Sequence, residues 1–270
     1  MFIFYIIIFI LGLIIGSFLN AIIYRLKIKK SFLKGRSFCP FCKHFLNWQD
    51  LIPVLSFFIL KGKCRYCQKK ISWQYPLVEL ITGILFVLIF RHLDFRFDLT
   101  FGFWILDFFY YLLVSSFLII IFVYDLRHFI IPDKIIYPAI FIVLLFRIWD
   151  LFGNWELGIG ILKPVLNPLA SAIVASAFFL VIVLVSRGKA MGVGDIKLAF
   201  FMGLFLGFPD ILVALFFAFL IGGIIGIGLI LAKRKTLKSE VPFGPFLVTG
   251  TFIALFWGKI IVSWYLNLIL

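Results

Sequence analysis

The run Met1-Phe-Ile-Phe-Tyr-Ile-Ile-Ile-Phe-Ile-Leu-Gly-Leu-Ile-Ile-Gly-Ser-Phe-Leu-Asn-Ala-Ile-Ile-Tyr24 holds no charged side chain. Crossing a hydrocarbon core about 30 Å thick takes about 20 helical residues at 1.5 Å each, so this stretch reads as a membrane helix. Working outward, seven more largely apolar runs with at most one charged residue each follow, at about 76–90, 99–124, 135–149, 169–186, 196–208, 211–232 and 245–262. The whole chain agrees: 270 residues, 64% of them hydrophobic and only 14% charged, with a mean hydropathy of +1.18. Soluble, disulfide-rich secreted and disordered chains are excluded, because too few polar residues exist to cover a water-facing surface. The predicted fold class is an all-α polytopic membrane protein of about eight transmembrane helices with a small cytoplasmic zinc-binding loop domain. Its expected parts are the first helix (1–24), the loop domain (25–75) and a seven-helix core (76–270).

The net charge of +14 is explained by insertion. The first run has no basic residues ahead of it and reads as a retained helix, not a cleaved signal. Eight alternating spans then collect 21 of the 26 Lys and Arg residues on one side, in the loops of Arg25 to Lys70, Arg127 and Lys134, Arg187 to Lys197, and Lys233 to Lys238. Arg91, Arg96, Arg147, Lys163 and Lys259 fall on the other. The basic side faces the cytoplasm and anionic lipid, the N-terminus lies outside, and nucleic acid is not an expected partner. Gly12-x-x-x-Gly16, Gly203-x-x-x-Gly207 and Gly222-x-x-x-Gly226 read as close helix contacts. No fixed-period repeat is evident.

All four cysteines lie in the first loop, as Cys39-Pro-Phe-Cys42 and Cys64-Arg-Tyr-Cys67. Two residues between thiolates let each pair close a tight turn on one ion, and four thiolates complete a tetrahedral structural zinc site with no open position. A reducing cytoplasm disfavours disulfides. His44 reads as solvated. Between the pairs, Leu51-Ile-Pro-Val-Leu-Ser-Phe-Phe-Ile-Leu60 is too short to span and is expected on or in the inner leaflet.

Five of the twelve acidic residues, Asp94, Asp98, Asp150, Glu156 and Asp210, fall in outer loops. Asp125 and Asp195 differ. Asp125 ends the apolar run Phe117-Leu-Ile-Ile-Ile-Phe-Val-Tyr124, and Asp195 closes Met191-Gly-Val-Gly-Asp195 before the short sixth span. An ionisable group at the membrane edge is a functional candidate, and a carboxylate pair sharing one proton can activate water and protonate a leaving amine without a metal. Gly192 and Gly194 remove side chains beside Asp195, which lets an extended substrate backbone come close. Asp133 ranks third, because it follows Pro132 and suits a helix cap. His128, one turn from Asp125, could tune it, though a lone histidine in a basic loop is usually solvated.

These residues resemble the type IV prepilin peptidase family. Gly192-Val-Gly-Asp195 matches the G-x-G-D signature of intramembrane aspartyl proteases, and Tyr124-Asp125 with Ile131-Pro132-Asp133 is similar to the partner motif. Gly16-Ser-Phe-Leu-Asn20, Tyr24-Arg25, the paired cysteines, Asp50-Leu-Ile-Pro-Val-Leu-Ser56, Gly62-Lys-Cys64 and Tyr75-Pro-Leu-Val-Glu79 follow the family in order and spacing, and the likeness extends to Pro242-Phe-Gly-Pro245. It implies a peptidase of the bacterial cytoplasmic (inner) membrane. Such an enzyme removes the short basic leader of prepilins and pseudopilins at the cytoplasmic face, after a glycine, then N-methylates the new terminal residue with S-adenosylmethionine. Asp125 and Asp195 would be its catalytic pair. Neither sits in the D-[ST]-G turn of pepsin-like enzymes.

Methyl transfer is less legible. Gly158-Ile-Gly160 lacks the strand-to-helix context of a nucleotide site, which leaves Glu79, at the inner start of the second span, and Gly62 as candidates. Two rival readings are a proton- or cation-coupled secondary transporter using Asp125 and Asp195, and a non-enzymatic scaffold docking through the zinc loop. The first conflicts with carboxylates at one membrane face, and the second leaves the glycine-flanked aspartate unexplained.

Overall fold

The computed structural model describes residues 2–29, 31, 35–93, 101–153, 163–188, 191–232 and 241–269. Among them are a 3₁₀ turn at Trp48–Leu51 and the helices α1 (Phe2–Lys27), α2 (Leu55–Ile59), α3 (Gln74–His92), α4 (Phe101–His128), α5 (Asp133–Gly153), α6 (Lys163–Val185), α7 (Val193–Leu206), α8 (Asp210–Leu231) and α9 (Gly244–Ile269). The eight apolar runs correspond to α1 and α3 through α9, and no strand occurs among the described residues. Asp94, Arg96, Asp98, Glu156, Gly158-Ile-Gly160 and the basic run Lys233 to Lys238 lie outside the described residues.

Six helices, α1, α3, α4, α6, α8 and α9, are long and apolar enough to cross a membrane. The protein is therefore a multi-pass membrane protein. The other two depart for visible reasons. α5 carries Asp133, Lys134, Arg147 and Asp150, and α7 has 14 residues, about 21 Å of helix.

The chain divides into two compact units, Met1–Ile120 and Ile121–Leu270, with the boundary inside α4. In the first unit α1 packs along α3 at backbone contact: a Cβ on Gly12 would stand 2.6 Å from Gly83 Cα, and one on Gly16 2.7 Å from Glu79 Cα. Asn20 of α1 donates to the Tyr75 carbonyl at 3.0 Å and accepts from the Gln74 side chain at 3.1 Å, which fixes where α3 begins. The first part of α4 joins through Trp104, whose ring meets Phe90 edge-on and whose indole N–H donates to the Leu93 carbonyl at 3.0 Å.

In the second unit α6 packs on α7 and α8 on α9. Beyond Lys197 α7 is apolar all round, and Leu198, Ala199, Phe201, Met202, Leu204 and Phe205 are buried, as expected of a helix enclosed by others. A Cβ on Gly203 would collide with the backbone of Ala172 and Ser171 of α6. A short helix that ends inside apolar surroundings leaves carbonyls that lipid cannot satisfy. Arg147 of α5 supplies the donors, bonding the Leu204 carbonyl at 3.0 Å and the Phe205 carbonyl at 2.5 Å. Asn167 of α6 pairs with both backbone groups of Phe208 in the following turn. Among the small-residue pairs, Gly222 meets the Phe246 ring, whereas no described atom stands within 4 Å of a Cβ on Gly226.

Candidate active site

Asp125 lies in the last turn of α4, buried at 5% exposure. The helix stops four residues on, where Phe129 adopts φ 57° and its N–H bonds the Asp125 carbonyl at 2.8 Å. The chain passes through buried Ile131 and Pro132, and the Pro132 carbonyl accepts the N–H groups of Ile135 and Ile136 to open α5. At the start of α9 the Gly244 N–H donates to Asp125 Oδ2 at 3.1 Å. A Cβ on Gly244 would lie 2.5 Å from that same oxygen.

Asp195 is the third residue of α7 and 8% exposed. Its Oδ2 reaches back to the Gly192 N–H at 3.1 Å, the return half of a capping box. Gly194 faces Ile131, where a Cβ would stand 3.1 Å from Ile131 Cβ. The missing side chain therefore seats the α4–α5 turn directly on the first turn of α7. Lys197, one turn on, donates to Asp133 Oδ1 at 2.6 Å. These contacts and the Gly244 bond gather the C-terminus of α4 and the N-termini of α5, α7 and α9 at one end of the unit. Asp195 there lies within electrostatic reach of Asp125. Asp133 is 60% exposed and ion-paired. The His128 ring stacks on Tyr124, with Nδ1 3.1 Å from the Tyr124 carbonyl.

In the first unit the four cysteine Sγ atoms lie within 4.8 Å of one another, and Cys39 Sγ is 3.9 Å from Cys67 Sγ. Zinc–sulfur bonds of about 2.3 Å in a tetrahedron put sulfurs about 3.8 Å apart, so the donor set fits a metal ion of that size. Burial pushes the Cys39 thiol up, but hydrogen bonds from the Cys42 and Phe41 amides and neighbouring thiols outweigh it and bring it down to about 7. Cys67 is pushed up to about 11; an amide bond from Lys69 lowers it, and burial with the surrounding thiols overrides that. A cation relieves this competition by favouring all four thiolates. The Asp50 carboxyl braces the knuckle, accepting from Arg65 Nε at 2.7 Å, the Tyr66 hydroxyl at 3.0 Å and the Asn47 N–H at 3.2 Å.

Glu79 and Gly62 both meet the apolar segment between the cysteine pairs. Glu79 is 6% exposed, accepts the Val54 N–H at 2.7 Å and is hydrogen-bonded by the Ser17 side chain. Val54 has φ 61° and ψ −53°, and the Leu55 N–H bonds the Pro53 carbonyl at 2.5 Å. This is the rare, strained hand of the γ-turn, on a β-branched residue. Gly62 follows α2 at φ 68°, and a Cβ there would stand 3.2 Å from the Phe57 ring. α2 packs its Phe57 on Trp73, with ring centroids 4.8 Å apart.

Two families match the chain: the Bacterial Peptidase A24 N-terminal domain over residues 10–93 and the Type IV leader peptidase family over residues 112–227. A prepilin leader peptidase/N-methyltransferase of Aeromonas salmonicida (strain A449) is 34% identical, covering 97% of this chain and 94% of its own length. The chain belongs to the type IV leader peptidase family. The protein of the same name from Bacillus subtilis (strain 168) is 33% identical over 98% of both chains, and that of Legionella pneumophila is 31% identical over 97% of this chain. No solved structure matches it significantly.

Two features were not read from the sequence. Gly244, the amide donor to Asp125, sits in Pro242-Phe-Gly-Pro245, where a glycine just ahead of a proline at a helix start was the available signal. The cysteine loop is also an internal repeat, contrary to the expectation of none. The bridge of Phe38 with Phe45 recurs as Lys63 with Lys70, and the bond from Cys39 N–H to His44 recurs from Cys64 N–H to Lys69. Lys43 and Gln68 share a positive φ, and Trp48 and Trp73 follow at the same offset. Two copies of a short turn are too little for a periodicity search.

Proposed function

We propose that the protein is an aspartyl endopeptidase of the bacterial inner membrane that removes the short basic leader of type IV prepilins and pseudopilins and then N-methylates the new N-terminal residue. The supporting observation is the convergence of Asp125 and Asp195, buried at one end of the second unit, each with one carboxyl oxygen held by a glycine amide. The names of the relatives agree, and they favour a peptidase over a transporter.

Asp125 and Asp195 are assigned as the catalytic pair. Two carboxyls within electrostatic reach of each other in a low-dielectric setting do not both ionise cheaply, and in this reading they share one proton. The ionised member takes a proton from water, whose oxygen attacks the scissile carbonyl carbon, and the protonated member gives its proton to the carbonyl oxygen. As the C–N bond breaks, the proton taken from water passes to the leaving nitrogen, and one hydroxyl of the tetrahedral intermediate returns its proton to the pair as the new carboxyl forms. The two amide bonds orient the carboxyls before substrate arrives, so little reorganisation is needed during the reaction. Gly192 has space where a Cβ would be, with nothing nearer than 3.9 Å, which suits an extended substrate backbone beside Asp195. Gly194 serves the site through its seat on Ile131.

The four cysteines are assigned to a structural zinc that folds the loop. S-adenosylmethionine would supply an electrophilic methyl group for the new terminal amine. The residues at hand do not form a cradle for it: the Glu79 carboxyl is engaged by Val54 and Ser17, and the open side of Gly62 is filled by Phe57. Glu79 and Gly62 are therefore given a positioning part, bracing α2. The basic loops favour an outside N-terminus with both aspartates reached from the cytoplasm.

The decisive experiment is cleavage of a full-length prepilin by the purified protein in nanodiscs. Cleavage after the leader glycine, lost in Asp195→Asn at unchanged melting temperature, is the expected result. Unimpaired cleavage by that variant removes the assignment.

A further inference from the structure

Beside Asp125 an apolar groove of about 530 Å³ runs between α4, α8 and α9, within the roughly 300–1,000 Å³ range of pockets that hold ligands. Its α4 wall includes Phe122 and Leu126, and its α9 wall Pro245 and Thr249. At 3.6 residues per turn, Phe122 and Leu126 lie about 60° and about 100° around the helix from Asp125, on the adjoining strip. Pro245 directly follows the glycine whose amide holds the Asp125 carboxyl. The groove thus shares two walls with the surroundings of that aspartate. Its third wall, Ile221 and Ile225 of α8, leaves Ile225 43% exposed and the groove open.

The lining says which part of a substrate it suits. Among the described residues no Asp, Glu, Lys or Arg lines it, and the one hydroxyl among them, Thr249 Oγ1, is spent on the Pro245 carbonyl at 2.8 Å. A basic leader finds no carboxylate there, while uncharged apolar side chains bury surface against every wall. We propose that this groove is the subsite for the side chains that directly follow the scissile bond, and that it selects apolar ones. The inference rests on the peptidase reading above and assigns it a binding surface. Specificity on this side of the bond comes from shape and apolarity, and a charged residue just after the cleavage point is rejected.

A photoreactive benzophenone side chain at position 225 in the Asp195→Asn variant, mixed with full-length prepilin in nanodiscs and irradiated, tests it. Mass spectrometry should map the crosslink to the first few residues after the leader glycine. In the otherwise unaltered enzyme, Ile225→Trp should raise KM about tenfold with kcat within about twofold, and Ile227→Trp, exposed on α8 but outside the groove lining, should behave like the parent. Crosslinks on the leader, on lipid alone or nowhere, or an unchanged KM in Ile225→Trp, overturn the groove assignment while cleavage by the parent keeps the peptidase reading standing. If the parent itself cleaves no prepilin, that reading fails, and the groove assignment fails with it.

Discussion

Replacing Gly244 by alanine should separate activity from stability. The added Cβ would stand 2.5 Å from Asp125 Oδ2, and ordinary contact begins at 3.4 Å, so carboxylate and helix start must part by about 0.9 Å. That displacement stretches or breaks the 3.1 Å bond from the Gly244 amide. A catalytic group misplaced by about 1 Å costs on the order of a hundredfold in rate, or about 2.7 kcal/mol of barrier. Stability should hardly move: alanine is favoured over glycine in a helix by up to about 1 kcal/mol, and losing one hydrogen bond costs about the same. The assay is prepilin cleavage in nanodiscs beside a thermal melt of the same preparation. The expected result is kcat/KM down about a hundredfold with Tm within a few degrees. Activity within about threefold of the parent, or a melt that collapses along with activity, refutes the proposition that Gly244 exists to admit and hold the carboxyl.

Asp125→Asn and Asp195→Asn should each cut cleavage at least about a thousandfold, and the double variant should cost little more, because members of one catalytic unit are non-additive; rate loss that adds across the pair would separate their roles. Protein purified without added metal should contain about one zinc per chain, and Cys64→Ser should loosen the 35–73 loop in hydrogen exchange while α1 and α3 keep their protection. At Asp50 burial pushes the carboxyl up, but hydrogen bonds from Arg65, Asn47 and Tyr66 outweigh it and hold it below the usual range. Such a carboxyl stabilises the fold above its unfolded value of about 3.9 and stops doing so as pH falls through the folded value. The stability gap between parent and Asp50→Asn should therefore be flat near neutrality and close only below about pH 4, as read by tryptophan fluorescence. In a background lacking native cysteines, a thiol at Lys61 should react with an impermeant probe from the cytoplasmic side only; labelling from outside would invert the orientation.

Apolar run length made the helices legible, since lipid permits helix wherever about twenty mostly apolar residues follow one another. It was least informative for α5 and α7, where neighbours replace lipid: Arg147 interrupts α5 because it serves the carbonyls of α7. Asp125, Asp195 and the cysteines could be found because charge at a membrane edge and paired thiolates are costly without a use. Their supports could not. Gly244 touches Asp125 only through folding, and the meeting of Gly194 with Ile131 depends on which turn lands on which helix. The strain at Val54 is equally invisible in sequence, since valine is there the least expected residue for a positive φ.

The partner of the Asp125 carboxyl is made 119 residues after it. A growing chain emerges from the ribosome in order, so from the making of Asp195 until that of Gly244 both aspartates exist while the amide that orients one of them does not. A nascent chain halted before α9 would carry every residue of the two aspartate motifs and still lack the bond that holds Asp125. The start of α9 must therefore be in place before Asp125 can be held, so a partly made chain carries the aspartates without that alignment.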